Sequence, residues 1–593
     1  MSAATPARKI PSEARDRVLA VEGLAVGVNT EAGPRPLIED LSFELRRGET
    51  LAIAGESGSG KSITALAIMG LLPHAVRVRA GRVALGRTDL LRLPEREMRA
   101  VRGDRIAMIF QEPMSSLNPV LSVGRQLVEA MEAHAPLARG EARTRAVEAL
   151  RAVRLSEPER RMAQYPHELS GGMRQRVMIA MAIALKPEVL IADEPTTALD
   201  VTVQREILDL LRELQASLGT AIILITHDMG VVAEMADRVI VMKAGRAIEE
   251  APARTLFASP REAYTRALLA AVPRMGAGDG APQAPSRDAP VARLSDVRVT
   301  FDLRRGFLGG VTHRIHAVEG VTFDIRAGET FALVGESGCG KSSVARAMAG
   351  LTPFEGGIEI NARRLGAPGT DPRAARRDAQ MIFQDPMSSL DPRMRVGALV
   401  IEPLVIHGIG TPAERRARAA GLFERVGLSR DQLDRYPHEF SGGQRQRICI
   451  ARALALEPRL IIADESVSAL DVSVQARVLD LLRGLKKDTG VAYLFISHDM
   501  AVVENISDRV AVMYLGQIVE TGTRAQIFGD PRHPYTRRLI DAVPVPDPTH
   551  VRPPRTRLSG EPPSPLRPLG DPPARVTLSD VGGGHLVADE VAA

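Results

Sequence analysis

The chain has 593 residues, too many for a single hydrophobic core, and this length predicts two large domains or three to four smaller ones. Hydrophobic residues make up 45 % and charged residues 25 %, as in ordinary globular proteins, whereas aromatic residues are 3 % and the net charge is only +5. These values argue against a nucleic-acid-binding protein, and two distant cysteines exclude a disulfide framework, a CxxC zinc site and an iron–sulfur cluster.

The N-terminus, residues 1–17, is polar and lacks the apolar core of a secretory leader. No stretch of the chain reaches 18 uninterrupted apolar residues, the length expected of a membrane-spanning helix. We therefore expect a disordered N-terminus and a chain that neither spans nor crosses a membrane.

A glycine-rich loop follows the apolar run at residues 51–54 and precedes a helix-like run at 63–72. This order of strand, loop and helix predicts a phosphate loop whose backbone N–H groups surround one anion, while a lysine reaches the β- and γ-phosphates and a serine hydroxyl can bind Mg²⁺. The same pattern occurs a second time in the chain, which argues against the alternative that the loop is an ordinary glycine turn. The two loops are Gly55, Glu56, Ser57, Gly58, Ser59, Gly60, Lys61 and Ser62, and Gly335, Glu336, Ser337, Gly338, Cys339, Gly340, Lys341 and Ser342.

Lysine usage supports the phosphate-loop interpretation. Only seven of the 77 basic residues are lysines, and two of these seven lie in the loops. A compact ammonium fits between phosphates where a planar guanidinium would not.

The rest of the chain repeats with the same order of motifs. Ser-Gly-Gly, Asp-Glu and His-Asp each recur at a distance of 271 residues, and the loop lysines recur at 280. We predict a duplicated domain at residues 18–273 and 291–544, a flexible Gly/Ala/Pro-rich linker at 274–290, and an extended proline-rich tail at 545–593. Continuous apolar runs at 189–192 and 221–225 predict parallel strands buried on both faces, and therefore an α/β fold.

Two carboxylates end a buried strand in each copy. Beside a phosphate loop, Asp193 and Asp464 are expected to complete the Mg²⁺ shell, and Glu194 and Glu465 to polarise the water that attacks the γ-phosphate. The alternative for any one such pair is a strand that ends in solvated charge.

The Ser-Gly-Gly triplets each open a predicted helix, which places Ser170 and Gly172, and Ser441 and Gly443, at its first turn. A serine N-cap is the simple interpretation. Together with the Asp-Glu pairs about twenty residues later, the triplets resemble the signature of the ATP-binding cassette family. The resemblance implies two tandem cassettes, each with a parallel-sheet core, a helical subdomain and an N-terminal antiparallel β subdomain, that close on two ATP molecules between one phosphate loop and the other signature helix.

The family pattern extends to further residues. Gln111 and Gln384 match the glutamine that contacts Mg²⁺ and the membrane partner, and His227 and His498 match the histidine that senses the γ-phosphate. The same comparison assigns Asp200 and Asp471 to the loop that links the two sites. The family usually stacks an aromatic residue on adenine, and the alignment places Phe301 there in the second copy but Val28 in the first. We therefore expect unequal nucleotide sites.

Three segments resemble parts of the dipeptide and oligopeptide importers. Two are the long glutamine loops, 111–119 and 384–392, and the third is a C-terminal extension containing His533-Pro534-Tyr535. The first copy has Glu262-Ala263 before its Tyr264, which puts the contact of that histidine in doubt there.

The resemblance implies a peptide or glutathione importer ATPase that is peripheral at the cytoplasmic face of the inner membrane and binds two permeases, an external solute-binding protein through the complex, and no nucleic acid. Two alternatives stay open. One is an exporter or an importer of another solute such as nickel. The other is a soluble two-cassette translation factor acting on the ribosome, although that family has a long charged helical linker between its cassettes.

Overall fold

A computed structural model describes residues 17–30, 33–112, 116–135, 137–197, 199–276, 289–305, 310–367, 371–468, 470–550 and 566–589. The expectations for residues 1–16, for the linker at 277–288, for 113–115 of the first glutamine loop and for 551–565 and 590–593 of the tail lie outside these residues. The chain folds into two compact units, one built mainly from residues up to Val272 and one mainly from Pro273 onwards. The domain limits given above stay predictions.

The first unit alternates strands and helices after two long N-terminal strands. Its strands are β1 Arg17–Thr30, β2 Gly33–Arg46, β3 Thr50–Ala54, β4 Val76–Leu85, β5 Thr88–Asp89, β6 Ile106–Ile109, β7 Val189–Asp193, β8 Ala221–Thr226, β9 Arg238–Lys243 and β10 Arg246–Pro252. Its helices are α1 Lys61–Met69, α2 Glu95–Val101, α3 Val123–Glu132, α4 Arg139–Ala152, α5 Pro158–Arg161, α6 Gly171–Ile183, α7 Val201–Leu218, α8 Met229–Met235, α9 Ala253–Ala258 and α10 Ala263–Ala271.

The core sheet of this unit has the order β10-β9-β3-β8-β7-β6. Strands β9, β3, β8, β7 and β6 are parallel to one another, and β10 is antiparallel to β9. Strands β3, β7 and β8 are buried along their whole length, as their continuous apolar sequences predicted. A separate antiparallel sheet has the order β2-β1-β4-β5, and helices α3 to α6 form the helical subdomain between β6 and β7. The predicted fold class is confirmed.

The second unit repeats this arrangement. Its strands are β11 Ala292–Arg305, β12 Gly310–Ile325, β13 Thr330–Val334, β14 Glu355–Ile360, β15 Arg363–Arg364, β16 Ala379–Ile382, β17 Leu460–Asp464, β18 Ala492–Ile496, β19 Arg509–Tyr514, β20 Gln517–Thr523, β21 Leu566–Pro568, β22 Leu578–Asp580 and β23 Leu586–Ala588. Its helices are α11 Lys341–Met348, α12 Pro372–Asp378, α13 Pro386–Ser389, α14 Val396–Ile406, α15 Pro412–Arg425, α16 Gly442–Leu454, α17 Val472–Thr489, α18 Met500–Ile506, α19 Arg524–Gly529 and α20 Pro534–Ala542.

The C-terminal tail adds strands to both sheets of the second unit. The core sheet has the order β16-β17-β18-β13-β19-β20-β23-β22, and the antiparallel sheet has the order β15-β14-β11-β12-β21. The tail strand β23 pairs with β20 through Val587 opposite Glu520, and β21 pairs with β12. Because Pro568 lies at the end of an edge strand, its missing N–H removes no bond within the sheet.

A buried contact between a histidine and a glutamate fastens the tail to the core. His585 Nε2 lies 2.8 Å from Glu520 Oε1, and their side chains are 4 % and 0 % exposed. Beside it, the Gln517 amide donates to Ala574 O and its oxygen accepts from Val576 N, both within 3 Å. The tail therefore covers what would be an open edge strand at β20.

Some helix limits differ from the sequence prediction. Helix α1 begins at Lys61 and ends at Met69, because Gly60 and Gly70 take left-handed conformations at its two ends. The signature helices α6 and α16 end at Ile183 and Leu454. In the part of the chain that the model describes, no helix is both long and apolar enough to cross a membrane.

Candidate functional site

Each phosphate loop leaves the end of a buried central strand and leads directly into a helix. Gly55 has φ 149°, and a Cβ atom there would lie 2.2 Å from Met242 O. Gly335 has φ 150° and meets Met513 O at the same distance. Since that oxygen belongs to the backbone, no side chain can be accommodated by a rotamer change. The glycines are therefore required by the close approach of the loop to the neighbouring strand.

The loop lysines are buried and held by backbone oxygens. Lys61 Nζ donates to Gly55 O at 2.7 Å and to Glu56 O at 2.8 Å. Lys341 donates to the corresponding oxygens of Gly335 and Glu336, both at 2.8 Å. Each ammonium is thus held by its own loop, and its binding to phosphate stays a prediction.

The predicted metal ligands lie together at the ends of the strands. Ser62 Oγ donates to Asp193 Oδ1 at 3.1 Å, and Ser342 donates to Asp464 at 3.0 Å. Burial raises the pKa of Asp193 to about 6 against the hydrogen bond from Ser62, and burial likewise raises the pKa of Asp464. A hydroxyl and a partly desolvated carboxylate are the oxygen ligands that Mg²⁺ prefers, so these residues fit that ion.

The glutamates next to these aspartates adopt an unusual backbone conformation. Glu194 has φ 48° and Glu465 has φ 46°, in the left-handed region that non-glycine residues seldom occupy. Their amides donate to Ile225 O and Ile496 O at 2.8 and 2.9 Å, which keeps the turned residue joined to the neighbouring strand. Strain of this kind concentrates at functional positions. The residue types at these positions did not predict this left-handed backbone conformation.

Two predicted side chains, a glutamine and a histidine, converge on each glutamate. Glu194 Oε2 accepts from Gln111 Nε2 at 2.9 Å, and its Oε1 lies 3.2 Å from His227 Nδ1. In the second unit, Gln384 Nε2 lies 2.6 Å from Glu465 Oε2, and His498 Nδ1 lies 3.4 Å from its Oε1. The structure therefore brings together a glutamine, a glutamate and a histidine in each unit. In the sequence, the glutamine and the histidine lie more than a hundred residues apart.

One contact differs between the two glutamates and was not foreseen. Thr197 Oγ1 donates to Glu194 Oε2 at 2.8 Å, whereas the equivalent Ser468 donates to the backbone oxygen of Glu465 at 2.9 Å. The recurrence of a hydroxyl residue at the repeat spacing was a visible signal. Which acceptor each hydroxyl takes could not be predicted from it.

The histidines determine the charge state of the glutamates. Burial alone would raise the pKa of Glu194, but the hydrogen bonds of His227 and Thr197 and the charges of His227 and Lys61 together outweigh it, and the pKa lies below its usual value. The same balance with His498 lowers the pKa of Glu465. Conversely, burial lowers the pKa of each histidine, and its glutamate more than reverses this effect. Each glutamate is therefore ionised at neutral pH and able to act as a base.

The Ser-Gly-Gly triplets begin helices, as predicted. Ser170 Oγ caps α6 by accepting from Met173 N at 3.3 Å, and Ser441 caps α16 by accepting from Gln444 N at 3.4 Å. A Cβ atom at Gly172 or Gly443 would lie 2.7 or 2.2 Å from a valine side chain, which explains the small residue there. Nucleotide contacts by these residues, and the linking role of Asp200 and Asp471, stay predictions.

The expected adenine platforms differ in exposure. Phe301 lies on β11 opposite Ile315 and is 44 % exposed, whereas Val28 lies on β1 opposite Arg35 and packs on the hydrophobic core. An exposed aromatic ring is available to stack on a base. That Phe301 does so stays a prediction.

The C-terminal extensions contact the phosphate loops, which sequence reasoning missed. The amide of Glu56 donates to Tyr264 Oη at 3.4 Å, and that of Glu336 donates to Tyr535 Oη at 2.9 Å. The shared Tyr-Thr-Arg of the two copies was the available signal. The doubt about Glu262 is confirmed: His533 Nδ1 caps α20 by accepting from Tyr535 N, whereas Glu262 makes no side-chain cap at α10.

Comparison with known proteins gives consistent matches. The ABC transporter family model matches residues 38–197 and 318–468, and the model of the oligopeptide/dipeptide transporter C-terminal region matches 248–296 and 519–570. The chain is 53 % identical to the glutathione import ATP-binding protein GsiA of Escherichia coli O157:H7, with 96 % of each chain covered. It is 52 % identical, with the same coverage, to the proteins of that name from Escherichia coli strain K12 and Shigella dysenteriae serotype 1.

Proposed function

This chain belongs to the ABC transporter family of ATPases, and we propose that it drives an importer of peptides, with glutathione as its substrate. The observation that carries the proposal is the pairing of two segments that match the ABC transporter model with two C-terminal extensions that match the oligopeptide/dipeptide transporter model. The extensions reach the phosphate loops through Tyr264 and Tyr535, so the segments that mark the peptide-importer group adjoin the ATPase chemistry.

Hydrolysis is assigned to the ionised glutamates. In each cassette the carboxylate accepts a proton from the water that attacks the γ-phosphate, and the neighbouring glutamine and histidine orient it. The loop ammonium of Lys61 or Lys341 holds the β- and γ-phosphates, and converging N–H groups of the loop neutralise their charge. The histidine responds to the γ-phosphate because the glutamate that it contacts lies beside the water that attacks this phosphate.

Ser62 and Asp193, with Gln111, would hold Mg²⁺ in the first cassette, and Ser342 and Asp464, with Gln384, would hold it in the second. The ion supplies positive charge that polarises the phosphate oxygens. The Ser–Asp hydrogen bonds of 3.1 and 3.0 Å support this assignment because they place the two oxygen ligands side by side.

The complex is proposed to include two permeases and an external solute-binding protein, with this chain at the cytoplasmic face of the inner membrane. Hydrophobic side chains exposed around the helical subdomain of the second unit offer a docking surface for a permease: Met387 is 54 % and Ile406 is 60 % exposed.

Uptake of labelled glutathione, a dipeptide and nickel by a deletion strain tests the substrate class. We expect loss of glutathione and dipeptide uptake, restored by the wild-type gene and by the exposed-site control Glu97→Gln, but not by Glu194→Gln combined with Glu465→Gln. Normal uptake of both peptides with a defect for nickel would overturn the peptide assignment while leaving the ATPase assignment intact.

A further inference from the structure

A large open pocket lies in the second unit, away from the ATPase site. It has a volume of about 900 Å³ and is lined by the ends of α14 and α15, by α12 and by the turns that precede β17 and β18. Among its lining residues, Asp378, Arg459 and Val491 immediately precede β16, β17 and β18. The catalytic residues follow the opposite, carboxyl ends of these parallel strands, so the pocket and the ATPase site lie at opposite edges of the sheet.

The pocket has an excess of positive charge. Five arginines line it, at 363, 373, 377, 425 and 459, against three carboxylates. Those carboxylates are already engaged: Asp378 accepts from Arg363, Asp371 accepts from the backbone amide of residue 373, and Glu457 pairs with Arg418 at 2.9 Å.

The other guanidinium groups remain available. Within the residues that the model describes, the side chains of Arg373, Arg377, Arg425 and Arg459 form no hydrogen bond or ion pair. Four unpaired guanidinium groups around one concavity repel one another, and an anion that bridges them would relieve this repulsion. The guanidinium fork matches phosphate oxygens in a bidentate manner.

The equivalent positions of the first unit carry balanced charges. The strand register sets Arg105 and Glu188 where the second unit has Asp378 and Arg459, and these two form an ion pair at 2.7 Å. Asp104 stands in place of Arg377. The excess of positive charge therefore belongs to the second unit and is not a general feature of the repeat.

We propose that this pocket binds an oligophosphate anion, such as pyrophosphate, tripolyphosphate or the phosphate chain of a nucleotide. A volume of about 900 Å³ exceeds that needed for one phosphate and lies in the range of small-molecule sites. Several linked phosphates can reach guanidinium groups on three separate elements at once, whereas a single phosphate cannot. The site is additional to the two P-loop sites.

Titration of the full chain with tripolyphosphate tests the proposal, with both P-loop sites saturated beforehand by a non-hydrolysable ATP analogue and Mg²⁺. We expect one further site per chain, weakened at least tenfold when Arg377, Arg425 and Arg459 are all replaced by Gln. Arg293→Gln, at an exposed arginine on β11, serves as the control and should leave the affinity unchanged. Retained binding of the ATP analogue shows that each variant is folded.

The charge of the pocket gives a second measurement. The further site should weaken as ionic strength rises. No site beyond the two nucleotide sites, or an affinity that the arginine variant does not change, would overturn the proposal, as would equal binding of citrate, which carries comparable charge without phosphate.

Discussion

The C-terminal extension supports the phosphate loop differently in the two cassettes. In the second cassette, Tyr535 Oη lies 2.9 Å from the loop amide, its ring packs on Tyr514, and Arg538 lies 3.5 Å from Glu336. In the first cassette, Tyr264 Oη lies 3.4 Å from the loop amide and its ring packs under Lys243. The same tyrosine thus meets its loop in a more closely packed setting in the second copy.

The tail extends this difference to the far edge of the sheet. In the second cassette, Glu520 binds the amides of residues 532 and 533 and also His585 of the tail. In the first, the equivalent Glu249 binds the amides of residues 261 and 262. The candidate catalytic groups have the same residue types and similar distances in the two cassettes, whereas the contacts that support them differ. Duplication has therefore kept the geometry of the candidate site and changed the contacts around it.

The largest expected effect tests whether the two cassettes are chemically equal. Replacing Glu194 or Glu465 with Gln keeps the side-chain shape but removes the base, which is worth about 10²- to 10⁴-fold in rate. We expect losses of similar size from either single variant in ATPase assays of the assembled complex, with ATP retained in the double variant. Glu97→Gln is the control. Wild-type turnover in the double variant would show that these glutamates are not the bases.

Adenine binding should separate the cassettes next. Stacking on an aromatic ring contributes about 1–3 kcal/mol per base, or roughly five- to 150-fold in affinity, and Val28 offers only edge packing. With Lys341 or Lys61 mutated in turn to leave one site, ATP should bind more weakly at the Lys61 site. Phe301→Ala should remove the difference, and Val28→Phe should remove it from the other side. Equal affinities in the unmutated pair would refute the asymmetry.

The sequence predicted the repeated motifs, but it could not predict the tertiary contacts that support them. The phosphate loops, the Asp-Glu pairs and the strands around them follow from local patterns that each need only a few adjacent residues. The left-handed backbone of Glu194, the bond from Tyr535 to the loop and the docking of His585 on Glu520 depend on tertiary contacts between residues distant in the chain. A proline-rich composition indicated an extended tail, but no pattern identified the edge strand that it joins.

Removal of the tail contact should weaken one sheet edge only. His585→Ala leaves the buried Glu520 carboxylate without one partner, at a cost of about 1–3 kcal/mol. Hydrogen exchange should therefore quicken in β20 and stay unchanged in β10, which has no part in this contact. His585→Gln, which keeps a donor, should recover part of the protection, and the exposed His550→Ala should have no effect. Equal protection of β20 in His585→Ala and wild type would show that the tail does not stabilise this edge.

The smallest expected effect concerns the hydroxyl beside each glutamate. Thr197 donates to the carboxylate of Glu194, and this bond is among the causes that lower its pKa, whereas Ser468 donates only to the backbone of Glu465. A donor favours the ionised carboxylate, so its loss in Thr197→Val raises the pKa, and the base becomes protonated at a higher pH. Turnover of the complex should then fall at a higher pH than in wild type as the solution is acidified, while turnover at the optimum, where the base stays ionised, should change least. Ser468→Ala should leave the acid limb of the pH–rate profile in place, because its hydroxyl does not touch the Glu465 carboxylate. An equal displacement in both variants would mean that the two hydroxyls play one role, and that this difference between the cassettes has no consequence for the reaction.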